Sequence, residues 1–354
     1  MTVRSVVFLV PDGIDDPSRV SGGNLYDRHV RDGLGAHGWQ VTTIETDDSA
    51  GAAAALRAVP GGAILLMDGL VALRASEALA AAATRVRVVV LAHMVAAAFP
   101  DATAQTVAAE RRALAAAGHV IVTSRWTADE LRRRGLAVSG RVTIAPPGVD
   151  LPTAGTPAGT ETPAGSGTPA GTGNEPTGLD LLCVGVVAPH KGQDVLLAAL
   201  DRLPGRDWTC RIVGSLRPFG DFASSVSRDA QRFSGRVQLD GVLDGPELAA
   251  AYRRSALLVA PSRVESSGMA IAEARGHGVP VLATTVGGIP DTVAGGGAIL
   301  VPPDDPAALS AALGEWMTDP ALRRRLRSEA RAARSALPTW AAAVAAVSDA
   351  LEAS

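Results

Sequence analysis

The densest run of residues able to do chemistry is Pro261-Ser-Arg-Val-Glu265-Ser-Ser-Gly268-Met-Ala-Ile-Ala-Glu273. An apolar, strand-like run ends at Pro261, Glu265 falls in the loop, and the pattern turns helical near Gly268. The amides of Ser267, Gly268 and Met269 then stand at a helix N-terminus, where unpaired N–H groups and the helix dipole attract phosphate. Glu273 lies about one turn into that helix, on the face it shares with Met269 and His277. A carboxylate before the helix end and another within it can accept from hydroxyls on either side of a pyrophosphate, a sugar at one end and a ribose at the other. The same spacing also fits an ordinary strand–helix junction with two surface glutamates, and pattern alone leaves both readings open.

Further loops add to this one. In Gly185-Val-Val-Ala-Pro-His190-Lys191-Gly192, Lys191 precedes a helix expected near Gln193 and can neutralise phosphate charge. Gly287-Gly288-Ile-Pro-Asp291 follows another strand-like run, and its paired glycines would permit close backbone approach to a ligand. Ser21-Gly22-Gly23-Asn24 opens the first helix with amides unobstructed by side chains, suited to a phosphate or an acceptor, or to a plain turn. His93 ends the apolar run Val86–Leu91 and points to the expected cleft, where it would hydrogen-bond substrate or serve as a satisfied rim residue. The six histidines show no metal-ligand spacing among themselves or with the two cysteines, so no metal site is expected. There is no Gly-x-Ser-x-Gly elbow for covalent hydrolysis. A nicotinamide or flavin dehydrogenase would need Gly-x-Gly-x-x-Gly after a first strand; PDGIDDPSRVSGG and VAPHKG do not supply it.

These loops need elements to hold them. Apolar runs at Val3–Val10, Trp39–Ile44, Ala63–Met67, Val86–Leu91, Val120–Val122 and Val142–Ile144 alternate with helical stretches, the first at about Leu25 to His37. Such alternation predicts a parallel sheet covered on both faces. Thr127 and Glu130 have capping-box spacing, placing a helix start after the fifth run. The pattern then breaks over 151–178, where Thr-Pro-Ala-Gly units lack large apolar side chains and read as a flexible linker. It restarts with Leu181–Val186, Cys210–Val213, Val237–Leu239, Ala256–Val259, Val279–Ala283 and Ala298–Val301. The expected organisation is an N-terminal domain over 1–150, a linker over 151–178, and a C-terminal domain over 179–334. A last helix, within about 335–354, follows.

Bulk properties agree. A chain of 354 residues is long for one core, and 47% hydrophobic against 19% charged residues is a foldable composition. A net charge of -3 gives no footprint for nucleic acid. Arg132-Arg133-Arg134 and Arg323-Arg324-Arg325 read as solvated helix faces, which leaves a peripheral membrane contact open. No apolar run is long enough to span a bilayer. The start MTVRSVVFLVPDG reads as a buried strand rather than a signal peptide, and Cys183 and Cys210 as reduced core residues, together implying a cytoplasmic protein.

At these residues the chain resembles the retaining glycosyltransferases of family 4, which have the GT-B fold, over nearly everything except 151–178. The most specific stretch is PSRVESSGMAIAEARGHGVPVLATTVGGIPD, supported by VGVVAPHKGQDVLLAAL, APPGVD, Gly22-Gly23 and SRWTADEL. The resemblance implies two Rossmann-like domains facing each other across a cleft, with the last helix, near Trp340, packed back on the first. It implies that Glu265 contacts the transferred sugar and Glu273 the ribose. Lys191 would stabilise the diphosphate, Gly268 and Met269 would offer backbone donors, Gly22 and Gly23 would close over the phosphate, and His93 would lie near sugar and acceptor. Asp12, Arg217, Val242 and Arg263 complete the candidate set. Two positions depart from the family pattern: Val186 stands where an arginine commonly follows the glycine, and Ser266 and Ser267 replace the usual aromatic before Gly268. Lys191 would then carry the diphosphate alone or with Arg217 or Arg263.

The implied reaction moves a hexosyl group, with retention, from a nucleoside diphosphate sugar to an acceptor hydroxyl, with no tightly bound cofactor and no strict metal requirement. UDP-glucose is the first donor expected, ahead of GDP-mannose and UDP-N-acetylglucosamine. A catalytically inactive nucleotide-sugar binder is the alternative. Acceptor identity and oligomeric state are not written in these motifs.

Overall fold

The computed structural model describes residues 4–136, 141–151, 179–205, 207–217 and 219–354. The Thr-Pro-Ala-Gly tract read as a linker lies, apart from Leu151, outside the described residues. The first half runs β1 (Arg4–Pro11), α1 (Gly22–Gly33), β2 (Trp39–Thr46), α2 (Ser49–Ala58), β3 (Ile64–Asp68), α3 (Gly69–Arg74), α4 (Ser76–Ala82), β4 (Arg87–Ala92), α5 (Ala104–Ala115), β5 (His119–Val122), α6 (Arg125–Arg133) and β6 (Arg141–Ile144). The second runs β7 (Asp180–Val184), α7 (Gln193–Leu200), β8 (Thr209–Val213), α8 (Gly220–Ala230), β9 (Val237–Gly241), α9 (Gly245–Arg254), β10 (Leu257–Ala260), α10 (Met269–Gly276), β11 (Val281–Thr284), α11 (Ile289–Thr292), β12 (Ala298–Val301), α12 (Pro306–Thr318), α13 (Pro320–Ala333) and α14 (Trp340–Glu352).

Each apolar run read from the sequence is a strand, with ends moved by a residue or two. The strands form two six-stranded sheets, ordered β2-β1-β3-β4-β5-β6 and β12-β11-β10-β7-β8-β9. Every pairing is parallel. β3 and β5 are buried along their whole length because helices cover both faces. Each sheet thus has one apolar cluster per face: Leu9, Leu65 and Val90 on one side of the first sheet, Phe8, Leu66 and Val89 on the other. The strand order reverses between β1 and β3 and again between β7 and β10, which opens a crevice at the carboxyl ends of those strands.

Three local expectations shift. α6 is capped by Ser124, whose hydroxyl accepts from the Thr127 N–H at 3.0 Å, rather than by Thr127. Glu130 therefore sits inside the helix and pairs with Arg133 and Arg134. α1 starts at Gly22, three residues before the expected Leu25, because Ser21 caps it through the Asn24 N–H. It passes into a short 3-10 turn at Leu34–His37.

α14 packs on the first sheet: Val344, Val347 and Leu351 share a cluster with Phe8, Tyr26 and Val30. The Trp39 indole donates to Ser348 at 3.0 Å. The chain crosses there closely; a β-carbon at Gly148 would fall 2.0 Å from the Trp340 nitrogen. Cys183 and Cys210 are buried and free. Among the described residues no helix is long and apolar enough to cross a membrane.

Candidate active site

A cavity of about 1360 Å³ lies between the carboxyl ends of the two sheets and is lined by both halves. Among its lining residues are Asp12, Gly22, Gly23, His93, Lys191, Arg217, Val242, Arg263, Glu265, Ser267, Gly268, Met269 and Glu273, all singled out above.

On the C-terminal wall the reversal between β7 and β10 brings together two loops that are distant in sequence. Lys191 ends a 3-10 turn after β7; Gly192 follows in the left-handed region (φ 70°), where a β-carbon would meet the Pro261 carbonyl at 2.1 Å. Only glycine lets the two loops approach this closely. The Lys191 ammonium consequently lies 2.6 Å from the Glu265 carboxylate, in a pair only 23% and 15% exposed. The other Glu265 oxygen accepts the Gly268 N–H at 3.1 Å. Burial works against the charged form of Glu265, but Lys191 and the Gly268 amide outweigh it and hold the carboxyl below its ordinary range. Spacing did not foresee this pairing. It also removes Gly268 from the amides expected to be free for phosphate, because Glu265 takes that donor. Gly268 itself is left-handed (φ 67°) and no side chain caps α10, so the first-turn amides from Met269 onward remain the anion-facing ones.

Gly287 and Gly288 serve a different purpose from the one expected. A β-carbon at Gly287 would stand 1.7 Å from the Glu265 carbonyl, and one at Gly288 2.1 Å from the Ser266 carbonyl. The Gly288 N–H donates to the Glu265 carbonyl at 3.0 Å. These glycines support the Glu265 loop from behind and are not among the cavity-lining residues. Arg263 is also committed elsewhere. Its guanidinium grips Asp194 at 2.8 and 2.9 Å and reaches Asp304, which removes it as a spare diphosphate cation. Arg217 is exposed on the cavity wall and makes no ion pair among the described residues. It is therefore the cation nearest in kind to the arginine missing at Val186.

Two residues not singled out by sequence hold this wall in shape. The buried Gln193 side chain accepts from the Ala188 N–H and donates to the Val186 carbonyl, fixing the loop that carries Lys191. Tyr252, from α9, donates its hydroxyl to Glu273 at 2.8 Å. Burial raises the Glu273 carboxyl to about 7 despite that bond. His277 stacks on Tyr252 with ring centroids 5.2 Å apart. Tyr252 lies outside the quoted motifs, and only its packing against α10 shows these contacts.

The N-terminal wall meets the other at Phe99, whose ring packs edge to face on His190 with centroids 5.4 Å apart, and at the start of α1. A β-carbon at Gly22 would lie 3.1 Å from the Met269 sulfur, so the uncapped start of α10 and the start of α1 face each other. Asp12 pairs with Arg19 at 3.0 Å on the rim. His93 follows β4 and carries the least expected environment. Its Nε2 lies 2.8 Å from Asp27 of α1 and 3.3 Å from Asp68 at the end of β3. These three residues offer ligand atoms within 4.8 Å of one another, a grouping that spacing along the chain could not show and that corrects the reading of no metal-capable cluster. The three are joined by hydrogen bonds: the imidazole bridges two carboxylates, and Asp68 also caps α3 through the Leu70 and Val71 amides.

With this geometry in place, relatives are informative. Residues 178–319 match the family model described as glycosyl transferases group 1, and residues 69–152 that of glycosyltransferase family 4. A D-inositol 3-phosphate glycosyltransferase of Xylanimonas cellulosilytica is 32% identical over 226 residues, covering 63% of this chain and 54% of the relative. That of Streptomyces avermitilis is 32% identical over 252 residues, covering 66% of this chain and 51% of the relative. The chain thus spans about half the length of the curated relatives it matches. Among solved structures, sucrose-phosphate synthase from Thermosynechococcus elongatus superposes with a TM-score of 0.78 at 23% identity, covering 98% of each chain. HepE of Anabaena, solved in complex with UDP-glucose, superposes with a TM-score of 0.72 at 17% identity, covering 99% of this chain and all of its own.

Proposed function

This chain belongs to glycosyltransferase family 4 and has the GT-B fold, and we propose that it moves a hexosyl group, with retention, from a nucleoside diphosphate sugar to an acceptor hydroxyl. The observation that carries this reading is the Lys191–Glu265 pair at the uncapped start of α10, facing Gly22 and Gly23 across the cavity. The donor diphosphate lies between the two helix starts, where amides and Lys191 meet its charge. The sugar hydroxyls take the place of Lys191 as partners of Glu265, and the ribose hydroxyls donate to Glu273.

In the reaction the bond from the anomeric carbon to the diphosphate oxygen breaks and the acceptor oxygen bonds to the same carbon. The acceptor proton passes to the departing phosphate on the same face, which gives an alpha product from an alpha donor. Negative charge grows on the diphosphate as that bond lengthens. Lys191, Arg217 and the amides of α10 stabilise it as fixed dipoles and charges, so no metal is required. Glu265 is not the nucleophile: its carboxylate is held by Lys191 and the Gly268 amide and is directed at hydroxyls.

UDP-glucose is the leading donor, in line with the HepE complex, and GDP-mannose and UDP-N-acetylglucosamine are its competitors. A turnover and thermal-shift panel of nucleotide sugars, each with and without divalent metal, tests the reading, with D-inositol 3-phosphate among the acceptors. Product NMR reports the anomeric configuration. A beta product from an alpha donor, or turnover strictly dependent on metal, overturns it. A nucleotide that binds without any turnover would favour the inactive binder.

A further inference from the structure

His93 is the one ionisable group of the cavity floor surrounded on one edge by buried acids. Asp27 is fully buried and Asp68 is 1% exposed. Asp27 reaches the ring from α1 at 2.8 Å and Asp68 from the end of β3 at 3.3 Å, both at the same nitrogen, Nε2. The second oxygen of Asp27 has no hydrogen-bond partner. The remaining neighbours carry no charge. The Tyr26 ring meets the imidazole edge to face at 5.2 Å while its hydroxyl donates to the Ala145 carbonyl. Thr123, after β5, donates to the His93 carbonyl, and a β-carbon at Gly23 would lie 3.3 Å from the ring. The ring is therefore held on several sides, with Nε2 committed and Nδ1 left for the cavity it lines.

Two buried carboxylates sharing one donor are costly unless a cation stands between them. We propose that Asp27 and Asp68 are positioning residues that lock His93 as an imidazolium, with Nε2–H on the two carboxylates and Nδ1–H presented to the cavity as a fixed cationic donor. The inference rests on the cavity being the transfer site only for what that donor then does; the charge state itself stands on the geometry. Burial opposes the charge of His93, yet Asp27 and Asp68 together overcome it and push the imidazole well above its ordinary range. Burial likewise raises the Asp27 carboxyl, and His93 pulls it back. His93 consequently takes no proton from the acceptor. It donates to substrate oxygen throughout the neutral range, and the departing phosphate is left as the base.

Asp27→Asn separates this from a structural role, because the amide can still accept from Nε2–H but removes one negative charge. With the ring then neutral and protonated at Nε2, Nδ1 turns from donor to acceptor. The variant should lose about 10- to 100-fold in kcat near pH 8 with donor KM nearly unchanged. It should regain about tenfold on acidification to near pH 6, as the ring recovers its proton near its ordinary value of about 6.5. The wild type should show no such rise. Nitrogen NMR of histidine-labelled wild-type protein, assigned with His93→Gln, should find both ring nitrogens protonated from pH 6 to 9. That measurement needs neither turnover nor the Asp27 variant to fold. A neutral His93 ring at pH 7 overturns the proposal, as does an Asp27→Asn pH profile parallel to the wild type. Absence of turnover with every nucleotide sugar would count against the transferase reading while leaving the NMR result to decide this one.

Discussion

The two walls of the cavity are built in different ways. On the C-terminal wall the groups proposed to meet the donor come from two short stretches, Pro189–Gly192 and Pro261–Glu273, each contiguous and each following a strand next to the sheet's reversal. On the N-terminal wall the ionisable cluster draws one residue each from α1, from the end of β3 and from after β4. On the first wall Lys191 meets a single acid, Glu265. The second places one imidazole against two acids. The groups proposed to meet the donor are carried by local motifs, whereas the ionisable cluster of the N-terminal wall is assembled piece by piece.

The comparison is most directly broken at Glu265. Glu265→Ala should reduce transfer by about 10²- to 10³-fold or more. Isothermal titration should nevertheless find UDP bound at least as tightly as in the wild type, because Lys191 is freed from its partner. Loss of UDP affinity together with turnover would mean that the pair is only structural.

Next in size is the backing of that loop. Gly287→Ala places a β-carbon against the Glu265 carbonyl at a position with φ 57°, and should cost ~2 kcal/mol or more in denaturant unfolding with a parallel loss of kcat. An unchanged midpoint would show that the loop can yield.

A smaller effect concerns pH. Burial raises Glu273 to about 7, so the carboxyl is protonated below that value and the charged, stronger acceptor proposed for the ribose hydroxyls is present only above it. Donor KM should rise about tenfold per pH unit well below 7. Tyr252→Phe removes the hydroxyl that favours the carboxylate and should move the midpoint upward, and Glu273→Gln should flatten the profile. A midpoint unmoved by Tyr252→Phe would deny the tyrosine its role.

The smallest is at the rim. Arg217→Ala removes an exposed cation and should raise donor KM about two- to fivefold, an effect that added salt diminishes. If Arg217 fully replaces the arginine absent at Val186, the loss will be larger and will appear in kcat.

How much was legible follows the same division. Every strand appears as a short branched run because a parallel sheet covered on both faces demands apolar side chains on both. The strand–loop–helix around Glu265 appears because its residues are neighbours in sequence. The spacing puts α6 just after β5, where it stands, but not its cap, because Ser124 and Thr127 are both able caps and only the backbone shows which hydroxyl meets an amide. Gly287 and Gly288 look like a ligand loop; their partner is another backbone segment that arrives only when β11 pairs with β10.

Composition and periodicity by themselves determined two parallel sheets and which carboxylates stand at a helix start, since burial and helix-end chemistry act over a few residues. Only the tertiary structure decided that Lys191 holds Glu265, that Arg263 is occupied by Asp194, and that His93 sits between Asp27 and Asp68. Ion pairing and desolvation depend on distances of a few ångströms between groups from different elements, and those distances exist only once the sheets have closed.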